Sequence, residues 1–154
     1  MLFRSWAFRL HEALSAPLKR GGAFSGPDAK KGGRITPAAA ALGTLLKIKP
    51  VLTIEGEKLD AFSKARTMKQ ARQTMLTALA HDLEERLGDK EAGHTYLQIA
   101  HTCNEEAAEE LAGMVKELYP LAPVFAAPLS LSIGCHIGPG ALAVACTKKL
   151  KELE

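Results

Sequence analysis

Thr95-Tyr96-Leu97-Gln98-Ile99-Ala100 is followed almost at once by Asn104-Glu105-Glu106, and then by Ala108, Leu111, Met114 (or Val115) and Leu118. The first run alternates, the period of a half-buried strand. The second repeats every three to four residues, the period of an amphipathic helix. Asn104, or Thr102 with Glu105 three residues on, is the expected cap, and Glu105 and Glu106 suit the positive end of the helix dipole. Tyr119-Pro120 ends this helix. A strand feeding a helix with one apolar stripe predicts helices laid on a sheet.

Toward the N-terminus, Met68, Ala71, Met75, Leu76, Leu79, Leu83 and Leu87 mark a second helix that Gly88 stops. Before it, Ile48, Val51, Leu52 and Ile54 make a strand, Glu55-Gly56-Glu57-Lys58 a polar turn, and Leu59–Lys64 a weaker strand, together a hairpin. Thr36-Pro37 opens an expected helix through Leu46. Met1–Lys31 mixes apolar and basic residues without a settled period and reads as a short helix followed by a Gly-Ser-Pro loop. Toward the C-terminus, Val124–Ala126, Leu129–Ile133 and Ala141–Cys146 are strand-like, with the glycine-rich turn Gly134–Gly140 between the last two. The expected fold class is α/β of the α+β type: a mixed or mostly antiparallel sheet with packed helices. No internal repeat is visible.

A chain of 154 residues, 47% hydrophobic and 24% charged, suits one soluble domain. No apolar run approaches the roughly 20 residues of a membrane helix, and Met1–Leu10 has no continuous apolar core for a secretory signal. Three cysteines at no metal spacing suit a reducing cytoplasm. Only 5% of the residues are aromatic, which leaves single-stranded nucleic acid little to stack on. Up to Pro50, nine Lys and Arg face only Glu12 and Asp28, a net +7, while the remainder carries −4. That basic front suits an anionic partner or, more plainly, a solvated segment. DNA binding has no helix-turn-helix or zinc signature behind it.

The densest candidate for chemistry is Gly134-Cys135-His136-Ile137-Gly138-Pro139-Gly140. Its glycines allow positive φ and close approach of a ligand, its amides can face an anion, and His136 can donate to a carboxylate or phosphate oxygen. The plainer reading is a tight turn between strands. Cys135 and His136 are adjacent, so a strand points them to opposite faces, and a packed cysteine is favoured over a nucleophile. Lys30-Lys31-Gly32-Gly33-Arg34 lacks the full phosphate-loop pattern, although Arg34 precedes the Thr36 cap and can meet an anion there. Arg66-Thr67 stands where the hairpin gives way to a helix; Arg66 is either a surface cation or an anion clamp. His101 reads as structural, and His81 and His94 as surface residues. No metal-ligand or hydrolase pattern appears.

Several of these segments, in order, resemble one family. They are Lys31-Gly32-Gly33-Arg34-Ile35, Leu45–Leu52 around Ile48-Lys49-Pro50, Lys64-Ala65-Arg66-Thr67, His101 with the Glu106–Leu111 helix start, and Ile133–Ala141. Together they look like the C-terminal domain of DegV-family proteins, bacterial fatty-acid-binding proteins. The resemblance divides the chain into a poorly ordered basic segment (1–30), a DegV-like domain (31–149) and a polar tail (150–154). It implies a carrier without a cofactor rather than an enzyme, whose long-chain fatty acid lies in a tunnel between two α/β domains. A separate kinase would convert the presented acid to an acyl phosphate. Carried over, His136 of the glycine turn lies near the carboxylate, with Gly134, Gly138 and Gly140 around it. Arg34 and Arg66 become headgroup or partner contacts. Met1–Ala29 does not resemble the family linker, and no N-terminal domain with its carboxylate-holding Thr-Ser pair is found. The expectation is therefore a fragment, a degenerate copy or a stand-alone version with half of the tunnel wall missing, whose exposed apolar face favours a homodimer. The rival is a non-catalytic interaction or dimerisation domain that has lost lipid binding.

Overall fold

The structure, a computed structural model, describes residues 9–14, 49–55, 58–131, 134 and 138–149. Its strands are β1 (Arg9–Leu14), β2 (Lys49–Glu55), β3 (Lys58–Ala65), β4 (Thr95–His101), β5 (Val124–Pro128) and β6 (Ala141–Lys148); its helices are α1 (Met68–His81) and α2 (Glu105–Leu118). The strands form one sheet in the order β3-β2-β1-β6-β4-β5. Every pairing is antiparallel except β4 with β5, which is parallel and is crossed over by α2. The mixed, mostly antiparallel sheet expected from the periods is the one present.

Residues Ala141 to Cys146 are all buried, because β6 lies in the middle of the sheet with both faces covered. Leu142, Val144 and Cys146 join the main core, alternating with Ala141, Ala143 and Ala145 on the opposite face. Leu97 and Ile99 of β4 pair beside Cys146 and Val144 and extend that core. Onto it pack Ala71, Met75, Leu76 and Leu79 of α1 and Ala108, Leu111, Ala112 and Val115 of α2. Arg72 pairs with Glu110, linking the two helices.

The stripe of α1 continues past its end through a π-helical turn, Asp82–Arg86, that buries Leu83. The wider turn inserts one residue, so the closing bond from the Asp89 N–H reaches back to the Leu83 carbonyl after Gly88 adopts φ +62°. Asp89 then organises the connection to β4. Its carboxylate accepts from the Gly93 N–H (3.0 Å), the His94 N–H (2.8 Å) and the Thr95 hydroxyl (2.6 Å). Burial pushes this carboxyl up, but the Thr95 hydroxyl and the two amides together hold it below its ordinary value. The folded-state pKa is thus the lower one, so the stabilisation is complete above the unfolded carboxyl value, about 3.9, and fades as pH falls through the folded value. Urea midpoints should drop below about pH 4, and less so in Asp89→Asn. Identical pH profiles for the two proteins would refute this role.

Three local expectations are corrected. Arg9–Leu14, read as part of a short helix, is a strand held between β2 and β6, and pairing partners so distant in sequence leave no local period. Within Leu129–Ile133, read as a strand, the described residues 129–131 lie outside any strand, Leu131 is helical, and the Gly134 N–H donates to the Ser130 carbonyl at 2.9 Å. In α2, Val115 rather than Met114 completes the buried stripe, and Leu118 is exposed while its neighbour Tyr119 packs against the core. The expected helix from Thr36 lies outside the described residues.

Candidate functional site

The pairing register brings the ends of β1, β3, β4 and β5 and the starts of β2 and β6 to one end of the sheet. Both helices begin there too. α1 is capped by Thr67, whose hydroxyl accepts from the Gln70 N–H at 3.1 Å, while Gln70 Oε1 accepts from the Arg66 N–H at 2.9 Å. This is a capping box reaching back one residue further than usual. α2 is entered through Asn104.

The glycine-rich turn is fastened to this end by the corner after β4. The Thr102 hydroxyl donates to the Gly138 carbonyl (2.6 Å) and accepts from the Ala141 N–H (2.9 Å). The Thr102 N–H donates to the Ala141 carbonyl (3.1 Å), and its own carbonyl accepts from the Gly140 N–H (2.6 Å). Asn104 Nδ2 donates to the Gly140 carbonyl at 3.3 Å. His101 Nδ1 accepts from the Asn104 N–H (3.2 Å), so this imidazole shapes the corner. Cys103, exposed, sits at φ +46°, a costly conformation for a side-chain-bearing residue that marks how tightly the corner turns.

The three glycines singled out from the sequence play different parts. Gly138 (φ +78°) and Gly140 (φ +91°) occupy backbone conformations that favour glycine. Gly134 is helical, and a Cβ there would meet only Thr102 Cγ2 at an ordinary 3.7 Å. His136, Cys135 and Arg34 lie outside the described residues. Arg66 is exposed at the end of β3, three strand spacings or about 14 Å across the sheet from the start of β6. It therefore shares an end of the sheet with the glycine turn but not a headgroup-sized site. Beside it, Phe62 of β3 and Gln70, Gln73, Thr74, Thr77, Ala78 and His81 of α1 line an open groove of about 440 Å³. Among the described residues no cluster of His, Cys, Asp or Glu is arranged for a metal ion, and no helix is long and apolar enough to cross a membrane.

Thr102 is the residue of this candidate site whose place the local sequence misreads. It reads as a helix cap, but its hydroxyl is committed to residues 36 and 39 positions later. The signal available was a Thr at a strand end ahead of a glycine-rich turn, which local spacing does not distinguish from a cap.

Compared with known families, residues 29–149 match the model described as "Uncharacterised protein, DegV family". The chain belongs to the DegV family. A DegV domain-containing protein of Clostridium acetobutylicum is 36% identical over 116 residues, 75% of this chain and 38% of that protein. The DegV-family protein of Thermus thermophilus, whose structure describes fatty acid binding, superposes with a TM-score of 0.69 at 27% identity. DegV of Bacillus subtilis, a fatty-acid-binding protein, does so with 0.67 at 26%. Each superposition covers 92% of this chain and 45% of the other. The chain thus spans between 38% and 45% of the length of these DegV relatives. The family match takes in the glycine turn, Arg34 and Arg66, and begins beyond β1.

Proposed function

We propose that this chain is a fatty-acid-binding module contributing the glycine-turn side of a site for a long-chain acid, with no cofactor and no catalysis of its own. The observation that carries the reading is the turn itself, with Gly138 and Gly140 in glycine-favoured conformations and fastened by Thr102 and Asn104. A backbone fastened in this way is preorganised for a ligand headgroup. In this reading His136 donates to the carboxylate, the backbone at Gly134, Gly138 and Gly140 allows close approach, and Arg34 adds positive charge. Arg66, some 14 Å away across the sheet, is assigned to a partner contact. The acyl chain adds roughly 0.8 kcal/mol for each buried CH₂. Membership of DegV, and relatives described as fatty-acid-binding, support this reading. The family resemblance further supports residues 31–149 as the functional domain, a cytoplasmic setting, and presentation of the acid to a partner kinase that forms an acyl phosphate.

The test is solvent extraction of the purified chain with mass spectrometry, followed by titration with a long-chain fatty acid. Near-stoichiometric acid is expected, with affinity reduced roughly 10- to 100-fold in His136→Ala, the loss of a hydrogen bond to a charged group. A chain that neither carries nor takes up fatty acid would replace this reading with that of an interaction domain.

A further inference from the structure

We infer that the outer edge of β5 is a homodimer interface, in which two copies pair β5 antiparallel across a two-fold axis and extend the sheet through both molecules. Among the described strands, β3 and β5 are the two edges. The β3 sequence carries Lys58, Asp60 and Lys64, the charges by which an edge discourages pairing. β5 carries none, and no Asp, Glu, Lys or Arg occurs anywhere between Glu117 and Lys148 in a chain that is 24% charged.

The backbone specifies the register. The Leu97 N–H donates to the Pro123 carbonyl, and the Leu129 N–H donates to the His101 carbonyl. The alternation of a parallel ladder then turns the N–H groups of Phe125 and Ala127 toward β4. It leaves those of Val124 and Ala126, with their carbonyls, facing outward. Pro128 has no N–H to offer at the next outward position. A two-fold centred on Ala126 would set Val124 against Pro128 of the second copy and leave the Val124 carbonyl without a donor. A two-fold centred on Phe125 instead lets Val124 and Ala126 exchange every outward bond with the other copy. It also sets the two Phe125 residues opposite each other in a non-hydrogen-bonded pair, about 4.5 Å apart at Cα, where rings stack.

Side chains agree with this register. Val124 packs on the core, so its neighbour Phe125 faces the other side of the sheet, 55% exposed and 5.9 Å from the Tyr96 ring. Leu118, Leu121, Phe125, Leu131 and Tyr96 are five of the six large exposed hydrophobics among the described residues. All lie on β5, beside it, or in the segments that enter and leave it. They leave on the order of 600 Å² of apolar surface per copy, so a pair reaches about 1,200 Å², the lower bound of stable specific interfaces. The antiparallel axis lays the Leu121 end of one strand against the Leu131 end of the other.

Light scattering on the full chain is the test. The expected mass is about twice the 16.5 kDa of one chain. Ala126→Pro removes an N–H that β4 does not use, and Phe125→Asp sets like charges face to face; both should be monomeric with unchanged circular dichroism. In case either variant misfolds, Phe125→Cys should oxidise to a disulfide joining two copies at position 125, since that spacing lies within disulfide reach. A monomeric wild type, a dimer that persists in folded Ala126→Pro and Phe125→Asp, or no cross-link at 125 would each overturn the proposal. None of these readings depends on whether fatty acid is bound.

Discussion

Thr102→Val should lower the stability of the chain by about 2–4 kcal/mol, the cost of leaving one buried and one half-buried backbone group without their partner. Valine keeps the shape of threonine but can neither donate to the Gly138 carbonyl nor accept from the buried Ala141 N–H. For a domain of this size that corresponds to a fall of roughly 5–15 °C in the midpoint of thermal unfolding. Amide exchange at Ala141 should accelerate by more than exchange in α1, because the bond lost is its own. Thr102→Ser restores the hydroxyl and should recover most of the difference. If the glycine turn frames the ligand as proposed, fatty acid affinity should follow the same order: wild type, then serine, then valine. A valine variant as stable as the wild type would mean that the turn is held by something other than this corner.

Leu97→Ala should be of similar or greater consequence, about 2–5 kcal/mol. Leu97 is completely buried in β4, beside Cys146 of β6 on one side and Val124 of β5 on the other. Removing its side chain opens a cavity at the junction of three strands, where hydrogen-bonded neighbours cannot close in. Leu121→Ala is the matched control, since Leu121 is 69% exposed and its truncation should fall within about 0.5 kcal/mol in a monomer. Urea unfolding of both variants, at concentrations low enough to exclude association, separates the two effects. Equal midpoints would contradict the core assignment.

Much of the architecture was legible because much of it is local. The stripe Ala71, Met75, Leu76, Leu79 and Leu83 repeats as a helix must to reach one surface, and the hairpin of β2 and β3 needs only a short polar turn. Tertiary contact decided the rest. Arg9–Leu14 is a strand because its neighbours β2 and β6 offer it a ladder on either side. Leu129–Ile133 has the composition of a strand, but the ladder with β4 ends at Pro128 and the chain turns helical. At the candidate site, Gly138 and Gly140 were legible as turn residues, and their conformations agree with that reading. Thr102 was not, because a hydroxyl that bonds nearly forty residues downstream looks locally like any capping threonine.

The position of β6 has a consequence for the order in which the molecule can assemble. Among the described strands, the ladders on one side join β1, β2 and β3, and those on the other join β4 and β5; of these strands β6 alone is hydrogen-bonded to both groups. Until residues 141–148 are available, these described strands form two half-sheets with no ladder between them, each showing a raw inner edge. β6 thus acts as a keystone. Elongation and folding cannot keep pace with each other, and the two halves must wait, incomplete and prone to mispairing, for the segment that the glycine turn delivers between them. Folding should accordingly be limited by a late, long-range closure rather than by the early helices, and the Thr102 corner, by aiming that segment, sets how readily the closure occurs.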